Sequence, residues 1–507
     1  MPPSSSVQRI SLCLLSLLAF VAPSSARAAD KWIEVKSPHF TAASNASPGE
    51  ATTIAWEFEQ IRAAIGVLWT WARVDLNKPL VIFAVKDENS MKALAPEYWE
   101  RKNAVHPASV WVGGADQNYL AIRTDVKTED NRMLNPYQQA YFSYVSLIIG
   151  QSLPRTLPLW FVRGFAAVVS NTIVRDQKVF LGPPIPWDLQ RLNAQSRLPI
   201  SRLLAVTRDS PEYNTADGLE LFDAESWAFV HFLMFADEGA RWPKLDKFVN
   251  LVDHGTDPAA AFREAIGSPD DLQQPFSSYI VRNLYSFRQF NVDASVKREG
   301  FSVRQLPADD LDSRRALFHV AMRRPVEARA AIEQARKEGP APDSWTAEAL
   351  LLDRDGKADD AMAAYAHATD AGTTNAYAYY RLASLMWRNR VDDPTLTKIS
   401  ALLDKAIGFN TRDADAYALA AEARAELGAT DAHGLALRAT SLEPSSAFAH
   451  YAAAVVFRRE RRYDDALQHA EAAIRLAADD AQMRQRATEL AEAIRHASSG
   501  GQSNDSR

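Results

Sequence analysis

The chain has 507 residues, enough for two or three domains with sizeable cores. With 47% hydrophobic and 24% charged residues it is not a disordered protein. A formal net charge of −6 and the lack of any basic run exclude a dedicated nucleic-acid binder, which needs a positive surface against phosphates.

The first residues read as an export signal. Arg9 supplies the positive region, "ISLCLLSLLAFVA" the apolar one, and Pro23 breaks it before Ala26-Arg27-Ala28, an A-x-A site with cleavage expected before Ala29. Residues 1–28 are therefore expected to leave a mature protein that is periplasmic or secreted. The apolar run is short for a membrane span, which needs roughly 20 residues. After cleavage no membrane span is expected. The single cysteine, Cys13, falls inside the signal, so a mature chain would have no disulfide, thiolate ligand or cysteine nucleophile.

Residues 29–292 read as α+β. "KWIEVKSPHFTAAS" alternates as a strand, "PGEATTIAWEFEQIRAAIGVLWTWA" has helical apolar spacing, and "PLVIFAV" is a short buried strand. "ASVWVGG" and "NYLAIRT" flank the polar Ala115-Asp116-Gln117 as a hairpin. Two helices fill Pro136 to about Thr172, a Pro-rich stretch (Pro183, Pro184, Pro186) follows, and helical spacing resumes at "ESWAFVHFLMFAD". Strands first and helices after give the class.

Residues 293–310 read as a linker. From 311 to 498 the chain is Ala-rich and self-similar. Small residues recur at Ala349 and Ala383 and at Ala420 and Ala454; 383−349 and 454−420 are both 34, the period of the tetratricopeptide (TPR) repeat. About four repeats are expected, after a leading helix pair and before a polar capping helix, with extra residues around "RVDDPT" in the second. Small residues where two helices cross let them approach closely. Residues 499–507 read as a frayed tail.

The region from Trp32 to about Phe287 resembles the peptidase-MA-like family of gluzincin-type zinc metallopeptidase domains, often joined to TPR repeats. The resemblance is carried by "VKSPHF", "LPLWFVRGFAAVVS", "ESWAFVHFLMF" and "LDKFVNLVDHGTDPAAAFREAIG", in that order. It implies a first helix with His-Glu-x-x-His and a second with Glu-Gly-x-Ala-Glu. Two imidazoles one turn apart grip Zn²⁺, the intervening Glu takes a proton from the metal-bound water, and a second-helix carboxylate completes the set. This sequence departs from that frame at every such position. Phe142 and Ser146 stand for the histidines, Ser143 for the catalytic Glu and Arg163 for the third ligand; no histidine lies between His106 and His231, so no register restores the motif. A guanidinium in place of a carboxylate repels a dication. No metal, no other cofactor and no catalytic residue are expected. His231, among apolar neighbours, is expected to be a core histidine.

The function expected is that of an exported, non-catalytic scaffold, a pseudoenzyme joined to a repeat array that mediates protein–protein interaction. The alternative is a hydrolase of peptidase type with a relocated or metal-independent site. Groove-facing positions would carry Tyr377, Tyr380 and Trp387 in the second repeat, Tyr417 and Arg424 in the third, and Phe448, Tyr451 and Arg458 in the fourth. Aromatic anchors beside arginines suit a protein or peptide partner, and the arginines suit an acidic segment or a C-terminal carboxylate.

Overall fold

The computed structural model describes residues 31–100, 106–126, 133–153, 156–175, 177–282, 284–388 and 392–502. The expected signal peptide with Cys13 and the last five residues of the expected tail lie outside them.

The single strand expected at the start is two. β1 (Ile33–Lys36) and β2 (Thr41–Ser44) pair antiparallel across a turn at Ser37–Phe40, where Pro38 withholds an N–H and Ser37 bonds Phe40. α1 (Pro48–Leu68) starts with a capping box, Ser47 and Glu50 answering each other's backbone N–H, with Pro48 at its first position. β3 (Leu80–Val85) follows, then α2 (Glu88–Leu94), β4 (Ser109–Gly113) and β5 (Asn118–Arg123), the last two forming the expected hairpin.

These strands and β9 (Ser302–Gln305) make a mixed sheet in the order β4-β5-β3-β2-β1-β9, with β2, β3 and β5 parallel. β9 corrects the expected linker. It lies inside residues 293–310 and pairs along the whole of β1, Ile33 opposite Gln305. An exposed strand edge invites a partner, and this segment supplies it.

Central strand β3, "LVIFAV", is buried on both sides, as a continuous apolar run between parallel neighbours requires. Leu80, Ile82 and Ala84 face one core, shared with α1, α3 (Gln138–Ser152), α4 (Leu159–Ser170) and α8 (Ala216–Phe235). Val81, Phe83 and Val85 face a second core, completed by Leu311, Leu317 and Phe318 of α12 (Ala308–Ala321) and Leu350 and Leu351 of α14 (Pro342–Arg354). The first repeats of the array are thus one of the layers covering the sheet.

Between these parts run β6 (Ile173–Arg175) and β7 (Lys178–Leu181), then three short helices in and after the Pro-rich stretch: α5 (Pro186–Ala194), α6 (Ile200–Ala205) and α7 (Pro211–Asn214). After α8 come α9 (Trp242–Asp253), α10 (Pro258–Ala265) and α11 (Pro269–Ile280). β8 (Arg288–Asn291) returns to pair with β7 in a small second sheet.

The array continues as α13 (Pro325–Glu338), α15 (Ala358–Asp370), α16 (Ala376–Arg388), α17 (Asp393–Phe409), α18 (Ala414–Glu426), α19 (Ala432–Leu442), α20 (Ala447–Arg459), α21 (Tyr463–Leu476) and α22 (Ala481–Gln502). First helices of successive pairs start at 308, 342, 376, 414, 447 and 481, intervals of 34, 34, 38, 33 and 34. The long interval holds the extra residues of "RVDDPT". Ala349, Ala383 and Ala454 are fully buried and Ala420 is 1% exposed, so the small residues sit where the helices touch. The C-terminal half is a tetratricopeptide-like solenoid. α22 corrects the expected tail, running past Ser499 to Gln502, since each residue added to an existing helix closes one more backbone hydrogen bond.

Candidate functional site

Of the four positions at which the family resemblance puts metal chemistry, Phe142 and Arg163 are brought together. Phe142, Ser143 and Ser146 lie on α3 and Arg163 on α4, all half-buried. The Arg163 guanidinium carbon stands 5.5 Å from the centre of the Phe142 ring and 5.7 Å from that of Tyr213. Its Nε and Nη2 donate to both carboxylate oxygens of Asp223 on α8. Burial pulls the Arg163 pKa down, but the bond and charge of Asp223, with Tyr213, outweigh it and hold it above the usual arginine range. Ser146 Oγ donates to the carbonyl of Phe142 at 2.7 Å, a bond within the helix. The donors here are a phenyl ring, two hydroxyls and a cation already matched to its counter-ion. Among the described residues no group of three or more His, Cys, Asp or Glu side chains could hold a metal ion.

Helix approach fixes this arrangement. A Cβ on Gly164 would lie 2.2 Å from the Ser226 carbonyl oxygen, so only glycine lets α4 cross α8 this closely and set Arg163 against Asp223. Two carboxyls near the crossing are shifted. Burial, with the charges of Asp223 and Glu220 and against that of Arg191, raises Asp188 to about 7. Burial likewise raises Glu225 to about 7, although its Oε1 accepts the Leu198 N–H at 2.6 Å. His231 is fully buried, with Nδ1 at 2.7 Å from the Tyr279 hydroxyl and Nε2 at 2.8 Å from the Gly182 carbonyl; burial lowers its pKa to about 4. It is a core histidine.

The expected groove positions divide into two sets. Tyr377 packs against the sheet-side core and borders a cavity of about 400 Å³ between the β4–β5 turn (Gly113, Gly114, Ala115, Asp116) and Leu350, Asp353 and Arg354 of α14. Asn375, just before α16, donates Nδ2–H to Asp116 Oδ2 at 2.9 Å, and Tyr119 Oη donates to the same oxygen at 2.7 Å. The chain's own hairpin turn therefore lies against the second repeat where a partner was expected. Tyr380 stacks obliquely with Tyr377, ring centres 6.0 Å apart, and faces the charges of Asp413 and Asp415. Trp387 packs on the core between the second and third repeats.

Arg424 needs correction as a groove cation. Its guanidinium donates to Asp404, Asp431 and Ser400, so it braces α18 against α17. Tyr417 and Phe448 lie half-buried over Ala418, Ala439, Ala449 and Ala452. Tyr451 carries the Arg486 guanidinium of α22 at 4.5 Å from its ring centre. Arg458 is half-buried, while its neighbour Arg459 faces Glu426 at 4.0 Å.

Sequence reading missed the groups that fasten the array to the sheet. Asp75 accepts from Arg62 on α1 and from Arg412 in the loop before α18. Burial pushes the Asp75 carboxyl up, but Arg62, Arg412 and His39 outweigh it and hold it below the usual range. Beside them Arg73 Nη1 donates to the Leu442 carbonyl at 2.7 Å and Asn410 Nδ2 to that of Asn77 at 2.8 Å. His39, in the "VKSPHF" noted above, gives both its backbone N–H (2.8 Å) and its Nδ1 (2.7 Å) to the buried Glu59.

No family model matches the chain, and no curated protein matches it. Solved structures do. YrrB, described as a TPR protein with an unusual peptide-binding site, is 19% identical over 35% of this chain and 90% of that one, with a TM-score of 0.29. TTC0263, a thermophilic TPR protein of Thermus thermophilus, is 22% identical over 36% and 98%, with a TM-score of 0.27. Pseudomonas aeruginosa pilF is 15% identical over 36% and 88%, also at 0.27. The tetratricopeptide-like character of the array rests on its own spacing and alanine crossings rather than on these likenesses.

Proposed function

We propose that this protein is an exported, non-catalytic scaffold: a degenerate peptidase-MA-like domain whose former metal position is plugged, joined to a repeat array that binds a protein or peptide segment. The observation that carries the reading is the Arg163–Asp223 pair stacked on Phe142. A positive charge with its counter-ion in place, beside a phenyl ring, offers a dication neither ligands nor space. The binding surface is then the far part of the array, with Tyr417, Phe448 and Tyr451 as aromatic contacts and Arg458 as the cation for an acidic side chain or a terminal carboxylate. The array's inner face at the second repeat, by contrast, is covered by the β4–β5 turn.

The deciding experiment has two readouts on the purified full-length protein. Zinc titration by calorimetry is expected to show no stoichiometric site, and an immobilised peptide library is expected to yield binders whose retention falls in Tyr417→Ala/Tyr451→Ala. One tightly held zinc per chain, removable together with a peptidase activity, overturns the scaffold reading. Peptide retention unchanged by the double substitution removes the groove assignment. Export is tested by N-terminal sequencing of the mature chain, expected to begin at Ala29.

A further inference from the structure

A cavity of about 650 Å³, away from both the plugged position and the array, opens at the carboxyl ends of the parallel strands. Its walls come from the start of α1 (Ser47, Gly49, Glu50, Thr53, Ile54, Glu57), the end of β5 (Thr124, Val126), the approach to α3 and strand β6. Crevices at that end of parallel strands are where open α/β sheets bind small molecules, and the volume suits one.

Two oxygen acceptors in it are under-satisfied. The Glu57 carboxyl makes a single hydrogen bond among the described residues, accepting from the Tyr141 hydroxyl at 3.3 Å, a long one. Thr124 Oγ1 is a buried atom without a partner. Arg175, on the β6 wall, turns Nη2 to the Met133 sulfur at 3.8 Å, while its buried Nε has no hydrogen-bond acceptor among the described residues. Glu50 accepts from the Ser47 hydroxyl and backbone, Asn135 Nδ2 donates to Thr172, and Tyr137 Oη to Arg123. Ile54, Val126, Ile173 and Val174 supply the apolar surface.

We propose that this cavity binds a small primary amine carrying a branched apolar body, its ammonium held by the Glu57 carboxylate. An ammonium brings donors to an acceptor that has only one weak partner, and a charge-assisted bond is the stronger kind. Its alkyl part covers the aliphatic wall, and the Thr124 hydroxyl accepts from the same nitrogen or an adjacent donor. The positive end of α1 does not oppose this ligand, because Glu50 in the capping box already answers it.

Burial supports the picture by raising Glu57 to about 7, with the Tyr141 bond and the Arg298 charge acting the other way. Arg298 is itself engaged, donating to Thr53 Oγ1 at 3.2 Å and lying 3.9 Å from the centre of the Trp56 ring. The charged or titratable groups facing Glu57 are thus Arg298, Tyr137 and Tyr141, with Glu50 and Arg175 on the cavity wall. With Glu57 raised to about 7, amine affinity should fall between pH 8 and pH 6.

The test uses the full chain and three isosteric probes: isobutylamine, isobutanol and isobutyrate, followed by ligand-observed NMR and calorimetry at pH 8. Isobutylamine is expected to bind with a Kd of about millimolar or tighter, and the other two far more weakly. Glu57→Gln, which keeps shape and removes charge, should weaken it by about tenfold or more. Gly49→Trp is a second variant that leaves Glu57 intact. Gly49 is exposed and an added Cβ there meets nothing, so the indole closes the mouth without disturbing the fold, and isobutylamine binding should be lost. Absence of amine binding, isobutyrate binding as tightly as isobutylamine, or affinity unchanged in either variant overturns the proposal.

Discussion

The two ends of the repeat array are built from the same unit and live in different surroundings. At the near end, Phe318 of α12 is fully buried, packed edge-on against Phe83 of the sheet at 5.4 Å and Tyr119 at 6.2 Å. Its helix is a layer of the α+β core. At the far end, Phe448 and Tyr451 stand half-buried on a surface of alanines, and Tyr451 packs on the array's last core and under Arg486 of the cap. A solenoid repeat normally leans on its neighbours alone. Here α12 and α14 cover a sheet, whereas α20 and α21 pack on their neighbours in the array and on the capping helix.

The largest expected effect tests whether the near end is integral. Phe318→Ala empties a core shared by the sheet and the array and should cost about 3–5 kcal/mol. Thermal unfolding followed by fluorescence and by far-UV dichroism should move together. If only the helical signal shifts, the two regions are separable and the contrast fails. Asp75→Asn comes next. It leaves Arg62 and Arg412 facing each other without a counter-ion and should cost about 1–2 kcal/mol by urea unfolding. The sign with pH follows from its depressed pKa: this stabilisation is complete above the unfolded value near 4 and is lost as pH falls through the lower folded value. The variant should therefore show a flatter acid limb than the wild type. Asn375→Ala, which frees Asp116 of the hairpin turn, should cost about 1 kcal/mol and increase proteolysis between the turn and α16. Smallest is Tyr451→Ala, expected within about 1 kcal/mol of wild type in stability while lowering peptide retention. A large loss of stability there would mean that the far end is bound into the fold as firmly as the near one.

Much of this was readable in the chain. The apolar run of β3, the hairpin around Ala115-Asp116-Gln117 and the spacing of Ala349, Ala383, Ala420 and Ala454 each follow from local periodicity and turn chemistry. Phe142 and Arg163 could be placed together only through the family resemblance, which sets their two helices on one frame. The docking of the array was not legible. "FSVRQLPADD" has too few residues to announce a strand, and its partner β1 lies far away in sequence. Arg424 looked like a groove cation because helical spacing gives a face and says nothing of the acids on the next helix, Asp404 and Asp431. The amine cavity depends on Glu57, which in sequence is one more polar residue within an amphipathic helix.

The pairing of Ile33 with Gln305 also sets a timetable for biogenesis. A ribosome that has finished β1 must add 305−33, or 272, further residues before the outermost strand of the sheet exists. At about 5–20 residues per second that interval is on the order of ten to fifty seconds. Throughout it β1 shows an open edge and the neighbouring face waits for α12. A nascent chain of this kind depends on something else to shield that edge, or on being kept unfolded until synthesis is complete.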